Sequence, residues 1–125
     1  MSAASHRLEN KVAVVTGAAS GFGEGMARRF AEEGARVVVA DLNAREAERV
    51  AAEIGPNAIF TATDVTNRSQ IDAMVYAAMQ AFGRIDVMVN NAGFTHRSGD
   101  LLEVEEETFD LIADGGADNV WIVEC

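Results

Sequence analysis

The sequence predicts an α/β fold, a doubly wound parallel sheet with helices on both faces. Runs such as Val12–Val15 and Val37–Ala40 are apolar at every position, which is typical of strands that are buried on both faces. Each run alternates with a segment of helical periodicity, the pattern of a parallel sheet with crossover helices. A glycine-rich turn, Thr16–Gly23, joins the first strand to the first helix. Right-handed crossovers then predict four strands in the order 3-2-1-4.

The first predicted strand is Lys11–Thr16, and the helix after the glycine turn ends at Gly34, because glycine tolerates the left-handed conformation that follows a helix. Spacings of one, three and four residues predict an apolar face on this helix. That face consists of Met26, Ala27, Phe30 and Ala31. The second strand is Val37–Ala40.

Two further helices carry recognisable start signals. Asn43 with Glu46 predicts a capping box at the start of the second helix, which ends at Gly55-Pro56. The third predicted strand covers residues 58–61, and a second box, Asn67 with Gln70, opens the third helix. The apolar stripe of that helix is Ile71, Met74, Val75, Ala78, Met79 and Phe82.

The fourth predicted strand is Val87–Val89, and its outer edge is expected to be open. Further along, the residues from Glu105 to Ala113 have a helical pattern that Gly115-Gly116 breaks, since glycine costs about 1 kcal/mol in a helix interior. Val120–Val123 is a candidate short strand.

Charge and cysteine content exclude several classes of protein. The net charge is −10, and residues 100–125 carry 9 acidic side chains and no lysine or arginine. A chain without a basic patch is a poor partner for nucleic acid or for an anionic membrane. The single cysteine, Cys125, excludes a disulfide within the chain and indicates a cytoplasmic location. No secretory signal, membrane-spanning run or metal-ligand set is recognisable, and His6 and His96 are interpreted as terminal and loop residues.

The glycine turn is typical of a site for a diphosphate. Gly17 allows the tight exit from the first strand, Gly21 removes a side chain where backbone approaches the ligand, and Gly23 allows close helix packing. The amides of Ser20 and Phe22, with the helix dipole, attract phosphate charge. The alternative is a plain strand-to-helix turn, but the strand before it and the helix after it favour the phosphate site.

Asp41 lies 18 residues after Gly23, at the end of the second strand. A carboxylate in this position accepts hydrogen bonds from ribose hydroxyls and repels a 2′-phosphate. The residue that follows is Leu42, not a lysine or arginine, so NAD is favoured over NADP. The alternative is that Asp41 caps the next helix, although Asn43 is the better cap.

Polar residues also follow the third and fourth strands. Asp64 can accept the adenine amino group while Val65 packs on the ring, and the alternative is that Asp64 only starts a loop. After the fourth strand comes Asn90-Asn91-Ala92-Gly93. This segment either fixes the loop or contacts the cofactor ribose, and turn formation alone explains it equally well.

In this order and at these intervals, the motifs resemble those of the classical short-chain dehydrogenase/reductase family, in particular 3-oxoacyl-carrier-protein reductases and sugar dehydrogenases. The resemblance implies a Rossmann-like fold, an NAD-type cofactor, a small-molecule alcohol or carbonyl substrate, a cytoplasmic location and a homo-oligomer. The candidate cofactor-binding residues are Gly17, Ser20, Gly21, Phe22, Gly23, Asp41, Leu42, Asp64, Val65, Asn91, Ala92 and Gly93.

The chain departs from the family where the family's catalytic groups are expected. Such enzymes use a tyrosine with a lysine four residues later, because the lysine lowers the pKa of the phenol. Here Tyr76 is followed four residues later by Gln80, and Lys11 is the only lysine. Gly116 stands where the family places a catalytic asparagine. No catalytic residue is therefore predicted in this chain.

The resemblance fades near residue 114. It implies an NAD-binding Rossmann domain over residues 1–114, the N-terminal half of the family fold, and an atypical segment over residues 115–125. A truncation, a frameshift or an incomplete gene product would each explain the loss of resemblance after residue 114.

Three functions remain open at this point. The first is an NAD(P)-dependent oxidoreductase represented by its cofactor-binding half, and the second is a catalytically inactive nucleotide-binding module. The third is an S-adenosylmethionine-dependent methyltransferase, which also uses a glycine turn and acidic residues after the second and third strands. The Asn90–Gly93 segment argues against the third, because methyltransferases usually carry a proline–aromatic motif in that position.

Overall fold

The computed structural model describes residues 7–91 and the strand at 121–124. Five strands and three helices lie within these residues, and they alternate along the chain up to residue 90. In chain order they are β1 (Val12–Thr16), α1 (Gly21–Glu32), β2 (Arg36–Asp41), α2 (Ala44–Ile54), β3 (Ala58–Ala62), α3 (Arg68–Phe82), β4 (Val87–Asn90) and β5 (Trp121–Glu124).

All strand pairs in the sheet are parallel, and the order is β3-β2-β1-β4-β5. The predicted order 3-2-1-4 is therefore confirmed. β1 is the central strand, and its Val14 lies opposite Val38 of β2 and Met88 of β4. The chain leaves β1 towards β2 on one side and returns to β4 on the other, which creates a change of direction beside β1.

A fifth strand lies beyond β4, close to the predicted strand at Val120–Val123. It pairs with β4 from Val87 opposite Trp121 to Asn90 opposite Glu124. The expectation of an open edge at β4 is therefore wrong, because β5 occupies that edge. The predicted helix at residues 105–113 lies outside the described residues, and the division of the chain at residue 114 stays a prediction.

Helices cover both faces of the sheet, as the fully apolar strands predict. Successive side chains of a strand point to opposite faces, so β1, β2 and β4 each contribute to two cores. The core under α1 and α2 includes Ala13, Val15, Val37, Val39, Met26, Phe30, Ala47 and Val50. The core under α3 includes Val14, Val38, Ala40, Met74 and Ala78. Burial of a large apolar side chain stabilises the fold by about 1.5–3 kcal/mol.

The helix starts agree with the predicted N-caps, but the return hydrogen bond of each capping box is absent. The amide of Asn43 donates to Oδ1 of Asp41, and the carboxylate of Glu46 accepts from Arg49. The side chain of Asn43 accepts from the amide of Glu46, and that of Asn67 accepts from the amide of Gln70. The Gln70 side chain, however, accepts from the amide of Asp64, so it fixes the loop after β3. Met79 belongs to the predicted apolar stripe of α3 but is 44% exposed, so its expected contribution to the core is wrong.

Candidate nucleotide-binding site

The predicted site residues that the structure describes lie at the carboxyl edge of the sheet, beside the point where the chain changes direction around β1. The turn from β1 to α1 forms one wall, and the ends of β2, β3 and β4 lie next to it. In open α/β sheets this is the place where a crevice accepts ligands. Ala92 and Gly93 lie outside the described residues, so their predicted roles are not placed.

Two glycines of the turn have backbone conformations that favour glycine. The φ angles of Gly17 and Gly21 are 64° and 57°, in the left-handed region. A Cβ atom added to Gly21 meets nothing within 4 Å. Gly21 is therefore required by its backbone angle and borders open space, which leaves room for a ligand against the backbone.

Gly23 is required by close packing. A Cβ atom added there lies 2.1 Å from the carbonyl oxygen of Gly17 and 2.6 Å from the side-chain nitrogen of Asn91. Both distances are far shorter than a van der Waals contact, so no larger residue fits unless the backbone moves. This contact confirms the prediction that Gly23 allows α1 to lie close to the sheet.

The N-terminus of α1 is open at the turn. Ser20 is the N-cap residue, with extended backbone angles, and its side chain makes no capping hydrogen bond. The side chain of Phe22 packs against the core, so the predicted role of Phe22 falls to its backbone amide. The first amides of a helix have no partner within the helix, and together with the helix dipole they attract an anion.

Asp41, at the end of β2, is bound to the glycine turn. Its Oδ2 accepts from the backbone amide of Ala19 at 3.0 Å, and its Oδ1 accepts from the amide of Asn43 at 2.9 Å. Asp41 remains partly exposed. Sequence reasoning placed a carboxylate here for ribose but missed its contact with the turn. No sequence signal marks this contact, since its donor is a backbone amide 22 residues away.

Asn91 fixes the loop, which is one of the roles left open by the sequence. Its side-chain nitrogen donates to the carbonyl of Gly17 at 3.4 Å, and the residue is only 8% exposed. Its backbone amide donates to the hydroxyl of Thr16, which in turn donates to the carbonyl of Val89 at 3.1 Å. Sequence reasoning gave Thr16 no role. A hydroxyl at the end of a buried strand is a usable signal, because buried polar groups need partners.

Asp64 starts the loop after β3 through a local turn. Its Oδ1 accepts from the backbone amide of Thr66 at 2.9 Å and from the Thr66 hydroxyl at 2.6 Å. These hydrogen bonds stabilise the charged form and hold the pKa of the Asp64 carboxyl below its ordinary value. The loop role is therefore observed, and the second oxygen accepts no hydrogen bond from the residues described. Of its neighbours, Val65 is half-buried and Leu42 is 74% exposed.

Comparison with known proteins gives the class of this fold and site. A family model described as short chain dehydrogenase matches residues 11–114. The chain therefore belongs to the short-chain dehydrogenase family, as the motifs predicted.

Individual relatives agree with this assignment. Galactitol 2-dehydrogenase of Agrobacterium fabrum is 45% identical over 108 residues, which are 86% of this chain and 42% of that enzyme. The sequence of this chain is 49% identical to that of a 3-ketoacyl-(acyl-carrier-protein) reductase from Brucella melitensis, whose crystal structure is complexed with NADH. The TM-score between the two structures is 0.69. That match covers 85% of this chain and 44% of the reductase.

A short-chain dehydrogenase/reductase from Burkholderia phymatum, in complex with NAD, gives a TM-score of 0.67 at 39% identity. The match covers 70% of this chain and 32% of that one. The chain thus spans less than half the length of these relatives. These matches give no support to the methyltransferase alternative.

Among residues 7–91, no helix has the length and apolar character needed to cross a bilayer. The same residues contain no group of three or more histidine, cysteine or acidic side chains arranged to hold a metal ion.

Proposed function

We propose that this chain is the NAD(H)-binding half of a short-chain dehydrogenase that transfers hydride between nicotinamide and a small-molecule alcohol or carbonyl. One observation carries the proposal. The open N-terminus of α1 and the partly exposed carboxylate of Asp41 meet at the same glycine turn, where the carboxylate accepts from Ala19. A diphosphate and a ribose are adjacent groups in a dinucleotide, and here their complements are adjacent in the protein.

The turn fits a diphosphate on steric and electrostatic grounds. Open space at Gly21 admits the ligand to the backbone, and the uncapped start of α1 offers amide donors. Ser20 is exposed, so its hydroxyl is available as a further donor. When bound, NAD supplies the group that accepts or donates the hydride, and this chain's residues bind and orient it.

The end of β2 fits an unphosphorylated ribose. Each oxygen of Asp41 accepts one amide hydrogen bond, and a carboxylate oxygen has two lone pairs, so acceptor capacity remains for ribose hydroxyls. A 2′-phosphate here meets a negative charge that no arginine or lysine among residues 7–91 neutralises. Leu42 gives no basic side chain at the adjoining position. We therefore infer a preference for NAD over NADP.

The remaining candidate residues have narrower roles. The second oxygen of Asp64 is available for the adenine amino group, and Val65 offers an apolar surface for the ring. Asn91 acts through the turn, since its side chain is engaged by Gly17. Ala92 and Gly93 stay candidates for backbone contact with the cofactor.

For the whole protein we infer a small alcohol or carbonyl substrate, a cytoplasmic location and a homo-oligomer. The first inference is supported by the relatives, which are named dehydrogenases and reductases. The second rests on the family resemblance. The third remains an expectation from family resemblance.

Calorimetric titration of the 125-residue chain with NAD, NADP and AMP tests the proposal. We expect NAD to bind and NADP to bind at least about tenfold more weakly, because of the charge at Asp41. A dissociation constant for NAD weaker than several millimolar leaves less than about 4 kcal/mol of binding free energy and contradicts the proposal.

We further infer that this chain alone has no dehydrogenase turnover, because it contains no tyrosine with a lysine four residues later. NADH oxidation can be followed by absorbance with ketone and 3-ketoacyl thioester substrates. The matched control is Gly23→Ala, purified in the same way, in which the added methyl group displaces the carbonyl of Gly17 and with it the glycine turn. Turnover in the wild-type chain that disappears in this variant contradicts the inference, whereas equal rates in both identify a contaminating reductase.

A further inference from the structure

The end of β2 holds the glycine turn at two successive amides. Ala18 donates its backbone amide to the carbonyl of Ala40 at 3.1 Å, and Ala19 donates to the Asp41 side chain at 3.0 Å. The first of these bonds is independent of side-chain identity. The second depends entirely on the carboxylate of Asp41.

We propose that Asp41 is a positioning residue for the phosphate-binding turn as well as the ligand of the ribose, an inference that rests on the proposed NAD site. The Asp41 carboxylate thereby couples recognition of the ribose to the conformation of the phosphate-binding turn. Asp41 has this second role through the backbone amide of Ala19, a residue of the glycine turn to which the sequence motifs gave no function.

Burial makes the contact with Ala19 important. Ala19 is 4% exposed, so water has little access to its amide when the carboxylate is removed. Leaving a buried donor without a partner costs the full free energy of removing that donor from water. This cost is larger than the net stabilisation from an ordinary hydrogen bond. The turn must then move to expose this amide, and the movement changes the position of the amides at Ser20 and Gly21 beside it.

The two amides on Asp41 are not equivalent. Asn43 is exposed, so water replaces the carboxylate at its amide without strain. An asparagine at position 41 offers one acceptor oxygen and one amino group. We expect this oxygen to face the buried amide of Ala19, while the amino group lies towards Asn43 and solvent. Asp41→Asn therefore keeps the turn in place, whereas Asp41→Ala releases it.

Amide hydrogen exchange in the ligand-free chain, followed residue by residue by NMR, tests the positioning role without any nucleotide. We expect the amide of Ala19 to exchange at least about tenfold faster in Asp41→Ala, and within a few-fold of wild type in Asp41→Asn. Asp64→Ala is the matched control, since among the described residues its carboxylate bonds only to Thr66, and it lies at the same edge. Unchanged exchange at Ala19 in Asp41→Ala overturns the proposal.

Binding of ADP and of 2′,3′-dideoxy-ADP, which lacks the ribose hydroxyls, separates the two roles. If Asp41 also positions the turn, Asp41→Ala weakens binding of the dideoxy ligand about tenfold, and Asp41→Asn restores most of that loss. If Asp41 acts on ribose alone, binding of the dideoxy ligand is equal in wild type and Asp41→Ala, and the positioning role is refuted. Failure of the wild-type chain to bind ADP refutes the proposed function itself, a result distinct from either of these.

Discussion

The two edges of the sheet each carry a carboxylate that accepts a backbone amide distant in sequence, but the two carboxylates have opposite surroundings. At the amino edge, Asp86 is 4% exposed and accepts from the amide of Val12 at 2.8 Å. Its other oxygen forms an ion pair with Arg84 at 2.6 Å. At the carboxyl edge, Asp41 is partly exposed, and no cation among residues 7–91 pairs with it.

The difference separates a structural carboxylate from one that is available for binding. Both oxygens of Asp86 have partners inside the protein, so Asp86 joins β1 to the start of β4 and offers nothing to a ligand. Asp41 has amide partners but retains exposed acceptor capacity and an unneutralised charge. Parallel strands place helix N-termini at the carboxyl edge, so this edge is the one that attracts anions and their attached sugars.

The largest expected effect comes from the packing that closes the carboxyl edge. In Gly23→Ala the new methyl group overlaps the carbonyl of Gly17, so we expect a loss of about 3 kcal/mol or more in the free energy of unfolding and loss of NAD binding. Urea denaturation measures the first and calorimetry the second. The control is Gly25→Ala, an exposed position of the same helix, where alanine is expected to stabilise by about 0.5–1 kcal/mol. Wild-type stability in Gly23→Ala contradicts the close packing.

Removal of the buried carboxylate at the amino edge tests the comparison directly. Asp86→Ala leaves the buried amide of Val12 without its acceptor and removes the ion pair between Asp86 and Arg84. We expect a loss of about 2–3 kcal/mol in unfolding free energy. Nucleotide affinity, measured below the unfolding transition, is expected to stay unchanged because Asp86 lies at the opposite edge. A variant that loses affinity while remaining folded would break the distinction between the edges.

At the carboxyl edge, we expect the matching substitution to affect NAD affinity more than the free energy of unfolding. Asp41→Ala should lower the unfolding free energy by about 1–2 kcal/mol, less than Asp86→Ala, because the turn can move and expose the amide of Ala19 to water. Its effect on NAD affinity should be the larger one. Denaturation and calorimetry on the same preparations give both values, and a stability loss equal to that of Asp86→Ala would count against the comparison.

The smallest expected effect concerns the titration of Asp64, the third carboxylate. Two hydrogen bonds from Thr66 keep its pKa below the ordinary value, so the stabilisation they give is present above the unfolded pKa and is lost as pH falls through the lowered, folded pKa. Thr66→Val removes the hydroxyl, and we expect the NMR titration midpoint of Asp64 to rise. Ser69→Ala is the control, since its hydroxyl bonds to Asn67 instead. A midpoint insensitive to Thr66→Val would assign the lowered pKa to another cause.

Most of the fold could be predicted from the sequence, because the relevant signals are local. Apolar runs at every position mark the strands, and the amides that Asn43 and Asn67 cap are three residues away. The exposure of Met79 was not predictable, since periodicity identifies a face of a helix but not how much of it a neighbour covers. β5 pairs with a strand more than 30 residues earlier, a relation that no local pattern contains.

The candidate site divides in the same way. The sequence by itself determined that a glycine turn, a strand-end carboxylate and a polar segment after β4 occur in one order on one sheet edge, since residue type and spacing fix the order of elements. Only the tertiary structure decided that Asp41 reaches Ala19 and that Asn91 holds Gly17. The physical reason is that these contacts join side chains to backbone groups across separate strands, and a backbone amide or carbonyl has the same chemistry at nearly every residue.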